Sequence, residues 1–245
     1  MAVYKGLEAT LHEAFWGDRG SDLEVKDIIR LFPGFKGRAL EVGAGSGRIM
    51  RPLTEAGWQI DGIEPSAEMV EMYHAGEVSG QMYQATLEDF EQEQKYDLIL
   101  LTSYVFQLFG DAEEVLKKVR SMLTEKGRIY FSVFIPWSEI VGEIPEGEWL
   151  VDDQITLQDR RKARCWVNFE LDRIGQKLVR QHRYEILEKK KVVEKTDTVQ
   201  EILWYTKREL ELLAEKAACG IDQRSYEFKS EYDSDAHSMS FVFSI

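Results

Sequence analysis

Cysteine is nearly absent from this chain: 245 residues hold only Cys165 and Cys219. The two form no close pair and no metal-ligand spacing, and so few cysteines point to a reducing, cytoplasmic setting. Histidine is as sparse. His12, His74, His182 and His237 are scattered, and no His/Cys/Asp cluster has the spacing of a metal site, so no metal is expected. No apolar run approaches the ~18 residues that would span a bilayer. Met1 to Phe15 mixes charges and lacks a long apolar run, so no secretory leader is expected there. Basic residues are in deficit. Lys and Arg number 31 against 44 Asp and Glu, for a net charge of −13. General binding to nucleic acid or to an anionic membrane needs surplus Lys and Arg, which argues against both. Internal repeats and low-complexity segments are also missing. What remains is 44% hydrophobic residues in a length suited to one α/β domain with an insertion.

The most informative stretch is Arg38-Ala-Leu-Glu-Val-Gly-Ala-Gly-Ser-Gly-Arg48. Leu40 and Val42 end a buried strand, Gly43, Gly45 and Gly47 alternate, and a helical pattern follows with Ile49 and Leu53 inward. A strand that breaks into glycines before a helix lets backbone approach a ligand at the helix N-terminus. The dinucleotide fingerprint G-x-G-x-x-G/A does not fit, because its sixth position would be Arg48 or Met50. Glu41 precedes the loop. A pyrophosphate would be repelled there, whereas a cationic ligand would be attracted.

The pattern E-x-G-x-G-x-G, here Glu41 to Gly47, resembles the first motif of the class I S-adenosylmethionine-dependent methyltransferases. The resemblance implies a Rossmann-like α/β fold: a seven-stranded, mostly parallel sheet with helices on both faces. S-adenosyl-L-methionine would be the cofactor and S-adenosyl-L-homocysteine the product. The expected activity is methyl transfer to N or O of a small-molecule acceptor. The alternatives are a cofactor-binding regulator that methylates nothing, a methyltransferase acting on tRNA or protein, and an NAD(P)-dependent oxidoreductase.

The rest of the pattern agrees. Residues 1–32 read as one or two helices with Leu23, Ile28, Ile29 and Leu31 inward, stopped by Pro33-Gly34. Strands are expected at Ala39–Val42, Gln59–Ile63, Gln81–Ala85, Tyr96–Thr102 and Arg128–Phe134. Helices are expected at Arg48–Ala56, Ala67–Ala75 and Ala112–Leu123. Such alternation builds a parallel sheet. From Pro136 it gives way to Arg164–Leu171, Lys177–Leu187 and Lys191–Leu203, antiparallel by their short connections. Thr206 and Glu209 then offer a capping box for a helix through Ala218, and Ser225–Phe228 and Met239–Ile245 close the chain. The family's seventh strand runs antiparallel beside its fifth. The expected division is a core of residues 1–135 and 206–245 with an antiparallel β lid at 136–205, in a monomer or homodimer.

For the cofactor, the resemblance implies Glu41, Gly43, Ala44, Gly45, Gly47 and Arg48 at the first loop. Glu64, ending the second strand, would accept from the ribose hydroxyls, beside Pro65, Ser66 as helix N-cap, and Met69 near the adenine. Ala85 stands where relatives often place an aspartate, leaving Thr86, Leu87 and Glu88 as candidates for the adenine end. Thr102 and Ser103 would face the methionine half. Tyr104 is the catalytic candidate, to orient the nucleophile, and Gln107 falls where relatives often carry a histidine. Tyr4, His12 and Trp16 belong to helices that would fold over the site. Residues 158–191 hold eleven Lys and Arg against five Asp and Glu. From that basic run Arg161, Arg164 and Arg180 are candidates to draw in an anionic acceptor.

Overall fold

The computed structural model describes residues 3–17, 21–76 and 80–245; residues 18–20, within the expected N-terminal helices, lie outside them. Three helices open the chain: α1 (Leu7–Thr10), α2 (His12–Trp16) and α3 (Ser21–Leu31). Then come β1 (Arg38–Val42), α4 (Met50–Glu55), β2 (Gln59–Ile63), α5 (Ala67–Ala75), β3 (Met82–Tyr83) and β4 (Tyr96–Leu101). A 3₁₀ turn at Val105–Leu108 leads to α6 (Ala112–Ser121), β5 (Leu123–Phe134) and α7 (Trp137–Ile140). Four strands follow, β6 (Leu150–Thr156), β7 (Lys162–Asp172), β8 (Lys177–Glu188) and β9 (Lys191–Leu203). The chain ends with α8 (Lys207–Lys216), β10 (Gly220–Tyr226) and β11 (Ser238–Ser244).

The strands form two sheets. The larger has seven, in the order β10-β11-β5-β4-β1-β2-β3, and the smaller has four, β6-β7-β8-β9. In the larger sheet β1 to β5 pair in parallel, while β11 runs antiparallel to β5 and to β10. The expected mostly parallel sheet, with an antiparallel strand beside the fifth, is therefore present. Helices cover both faces. Residues of α3, α4 and α5 bury one apolar cluster, among them Ile28, Leu53 and Tyr73. Residues of α6 and α8 bury the other, among them Val115, Leu116 and Leu210. α8 starts at the expected capping box, with the Thr206 side chain accepting from Glu209 N–H and Glu209 reaching back to Thr206 N–H.

Three expectations need correction. β6 goes unseen in the sequence because it is an exposed edge, broken by an irregularity between Val151 and Asp153, with little apolar alternation. β10 starts at Gly220 rather than Ser225 and stops at Tyr226, because Glu227 and Phe228 turn the chain with φ of 48° and 59°. On α3 the inward face is only in part the expected one, with Ile28 buried as expected. Leu23 and Ile29 are exposed, and Glu24, Asp27 and Ile28 are buried. Asp27 is satisfied there by the hydroxyls of Ser225 (3.0 Å) and Ser240 (2.9 Å), so hydrogen bonds to the far end of the chain override the apolar pattern.

The smaller sheet meets the rest of the protein through two apolar clusters. Ala163, Cys165, Tyr184 and Ile186 pack on Leu7, Leu11 and Phe15 of the N-terminal segment. Phe169, Leu171, Leu178 and Ile202 pack towards Leu108, Phe134 and Ile140. Between these clusters the inner face turns polar, and that gap holds the site.

Candidate active site

The parallel strands β1, β2 and β4 end at one edge of the larger sheet, where open α/β sheets bind ligands. After Val42, three glycines adopt φ of 69° (Gly43), 56° (Gly45) and 85° (Gly47). The N–H groups of Gly43 and Ala44 both donate to the Ile63 carbonyl, at 2.9 and 3.0 Å, which ties the loop to β2. A Cβ on Gly43 would come within 2.9 Å of Val105, and one on Gly47 within 2.6 Å of the Tyr73 ring. A Cβ on Gly45 would meet nothing within 4 Å, because that residue opens onto a cleft.

Carboxylates line the cleft. Glu64 is buried, and its two oxygens accept from Gly45 N–H (3.0 Å) and Ser66 N–H (2.8 Å). Burial pushes its carboxyl above the usual range, against the pull of those two donors. Glu41 is more deeply buried, and burial pushes it up to about 8. The Thr102 hydroxyl donates to one Glu41 oxygen, and the other has no partner among the described residues. A buried oxygen without a donor is costly. These acceptors therefore fit a ligand that brings positive charge or N–H groups, which would also favour the charged form of Glu41.

The N-terminal segment closes over this edge. Ser66 Oγ donates to the Tyr4 carbonyl at 2.7 Å, Ser46 Oγ donates to Glu13, and the Tyr4 and His12 rings lie 5.3 Å apart. The cleft opens into a chamber of about 500 Å³ between the two sheets, and Tyr4, His12, Arg48, Ser103 and Leu108 line both. Trp16, Glu24, Tyr104 and Phe134 form the core side of the chamber, and Arg180, His182 and Gln200 are among its residues on the smaller sheet.

His12 and His182 thus share one chamber although the sequence separates them. Burial lowers both to about 4, aided by Arg48 beside His12 and by Arg180 beside His182. Both are neutral at physiological pH, and the Nδ1 of each is buried without a partner among the described residues. Tyr104 stacks against Phe134 with centroids 5.1 Å apart, and burial pushes its phenol up to about 12, which leaves a neutral hydroxyl.

Several sequence candidates stand elsewhere. Thr86 bonds Asp89 (2.8 Å), Leu87 is buried in the core and Glu88 is exposed; none of the three lines the cleft. Met69 is fully buried and gives its N–H to Ser66 Oγ at 3.3 Å. Gly47, Pro65 and Ser66 border the cleft without lining it. Arg161 pairs with Asp159 (2.7 Å) and Arg164 with Glu185 (2.7 Å), and neither reaches the chamber. Arg180 does reach it, paired with Glu139 at 3.3 Å. Gln107, fully buried, gives and takes backbone hydrogen bonds and does not line the site.

Residues 40–129 match the sequence profile of a family described as "Methyltransferase domain". Over that span the chain is similar to a methyltransferase domain. That span holds the glycine loop, Glu64 and the Thr102–Tyr104 turn, whereas the smaller sheet lies outside it. No curated protein sequence is a significant match. Solved structures resemble the whole fold. An S-adenosylmethionine-dependent methyltransferase from Clostridium acetobutylicum aligns with TM-score 0.78 at 11% identity, covering 96% of each chain. The CcbJ methyltransferase from Streptomyces caelestis aligns with TM-score 0.77 at 18% identity, over 96% of this chain and 94% of that one. The sugar N-methyltransferase KedS8 from a Streptoalloteichus species aligns with TM-score 0.72 at 16% identity, over 99% and 96%. The matched span therefore sits in a Rossmann-like fold shared with these methyltransferases, and the shared fold includes the smaller sheet. Sequence reasoning missed Glu24 and the inner face of that sheet. His182 lies between Gln181 and Arg183 and Gln200 between Val199 and Glu201, and no local pattern marks them as facing a chamber. Among the described residues, no helix is long and apolar enough to cross a membrane.

Proposed function

We propose that this protein transfers a methyl group from S-adenosyl-L-methionine to a nitrogen of a small-molecule acceptor. The observation that carries the reading is the junction itself: a cleft with an unpartnered buried acid, Glu41, opens directly into an enclosed chamber. Glu41 and Thr102 would hold the methionine half and Glu64 the ribose. Each Glu64 oxygen uses one lone pair on backbone N–H and keeps another for a hydroxyl. When bound, the cofactor supplies an activated methyl and a neutral sulfur leaving group. The chain's own task is to hold the nucleophile in line and exclude water, and such positioning is worth about 7–11 kcal/mol.

Residues 136–205 serve in this reading as a lid over the core, and their polar inner face as the acceptor wall. Arg161 and Arg164 lie away from that wall, which removes two of the three cations that would favour an anionic acceptor. Glu24, a buried acid on the chamber wall, favours an amine, and the likeness to a solved sugar N-methyltransferase supports nitrogen over oxygen.

Calorimetric titration is expected to show binding of S-adenosyl-L-methionine and none of NAD. A screen of amine-bearing metabolites should then yield S-adenosyl-L-homocysteine. Binding of NAD in place of the sulfonium would overturn the assignment. Glu64→Ala should weaken cofactor affinity by about 1–3 kcal/mol, the range for lost hydrogen bonds to a charged group, or roughly 5- to 150-fold. An unchanged dissociation constant would remove Glu64 from the site.

A further inference from the structure

The junction between cleft and chamber contains one acid that the cofactor does not need. Glu24 lies on α3, is 3% exposed and lines the chamber. Its Oε2 accepts from Ser103 N–H at 3.0 Å and its Oε1 from the Tyr130 hydroxyl at 3.3 Å. Ser103 lines both cavities, which places the Glu24 carboxylate within one hydrogen bond of the boundary that a transferred group must cross.

Two further observations bear on this acid. Ser103 and Tyr104 are consecutive non-glycine residues at positive φ, 49° and 65°. The same pairing turns the chain at Lys189–Lys190 and Glu227–Phe228, so Ser103 and Tyr104 form a tight turn. Here Glu24 takes the Ser103 N–H, and Ser132 Oγ takes the Tyr104 N–H at 3.3 Å. The second observation is charge. The groups that act most strongly on Glu24 are neutral donors, Ser132, Ser103 and Tyr130, and another acid, Asp27 on its own helix. Glu41 from β1 and Tyr104 from the turn also interact with it electrostatically. A buried carboxylate among neutral donors and other acids gains most from a cation.

We propose that Glu24 receives the protonated amine of the methyl acceptor at this junction and takes its proton. The step balances without any further reactant. An N–H bond of the ammonium breaks and an O–H bond forms on Glu24. The freed lone pair on nitrogen makes the new N–C bond to the methyl carbon, and the electrons of the broken carbon–sulfur bond stay on sulfur. Glu24 is thereby a catalytic residue, and Ser132 a positioning residue that acts through it and through Tyr104.

The inference rests on the reading of the protein as an N-methyltransferase, and one pair of ligands tests it without knowledge of the acceptor. Sinefungin carries an amine where the cofactor carries its methyl, whereas S-adenosyl-L-homocysteine carries nothing there. Calorimetry should show the native protein preferring sinefungin, with Glu24→Gln losing at least tenfold of that preference. The glutamine oxygen still accepts from Ser103 N–H, so S-adenosyl-L-homocysteine affinity should stay within twofold. A preference ratio unchanged in Glu24→Gln, with S-adenosyl-L-homocysteine still bound, would overturn the proposal. If Glu24→Gln is misfolded, Glu24→Asp and Glu24→Asn decide: equal length and different charge should give a higher ratio for the aspartate, and equal ratios would overturn it. A native protein that binds neither ligand would instead overturn the methyltransferase reading itself.

Discussion

Gly45→Leu is expected to lower affinity for S-adenosyl-L-methionine on the order of 100-fold, about 2.8 kcal/mol, while leaving a folded protein. Gly45 has φ of 56°, so any side chain there carries about 1–2 kcal/mol of backbone strain. Its Cβ meets no protein atom within 4 Å, and the leucine branch would occupy the cleft rather than the core. Two residues on, the same loop should behave in the opposite way. Gly47 has φ of 85°, and a Cβ there would lie 2.6 Å from the ring of Tyr73, which is 1% exposed and cannot retreat. Gly47→Ala combines that strain with overpacking of about 1–3 kcal/mol, so it should cost about 2–5 kcal/mol of stability. Urea unfolding and calorimetry on the two variants separate the effects. Binding should fail at Gly45 and folding at Gly47. If both variants lost stability alone, the loop would be a structural turn and no cradle.

The contrast between those glycines shows why the proposed cofactor side could be read from the sequence and the proposed acceptor side could not. Glu41, the glycines and Glu64 lie within one β-loop-α-β run, and the roles proposed for them rest on local backbone geometry that the residue types announce. β1 and β4 are buried on both faces and read as apolar runs. Glu24 was hidden for the converse reason. The apolar residues of α3 suggested a face through Leu23 and Ile29, but the helix turns its acids inward towards Ser103, Tyr130, Ser225 and Ser240. Those partners come from strands and loops far along the chain, and no local period encodes them. The chamber wall has the same origin. His182 faces inward because β8 pairs it with Val167 and Thr198 on a sheet whose other face is solvated, and that register exists only once the four strands assemble.

Gln107 carries the largest expected loss of stability. It is fully buried in the 3₁₀ turn after Tyr104. Its Oε1 accepts from Phe134 N–H at 2.7 Å, and its Nε2 donates to the carbonyls of Phe134 (3.0 Å) and Leu203 (2.7 Å). Phe134 ends β5 of the larger sheet and Leu203 ends β9 of the smaller, so one amide joins the turn to both sheets. Gln107→Leu keeps the volume and removes all three hydrogen bonds. Buried groups that lose a partner cost about 1–3 kcal/mol each, so for three of them a loss of about 3–9 kcal/mol is expected in urea unfolding. Glu41 and Glu64 do not touch this residue, so S-adenosyl-L-homocysteine affinity should change far less than stability does. Gln107→His gives the other half of the argument. A neutral imidazole has one donor and one acceptor, against the two donors and one acceptor used here. It can answer Phe134 N–H and one carbonyl, so its loss should fall between those of the native chain and the leucine variant. A histidine variant as stable as the native protein would show that the contact to the second carbonyl adds nothing, and the smaller sheet would then be held by its apolar clusters alone.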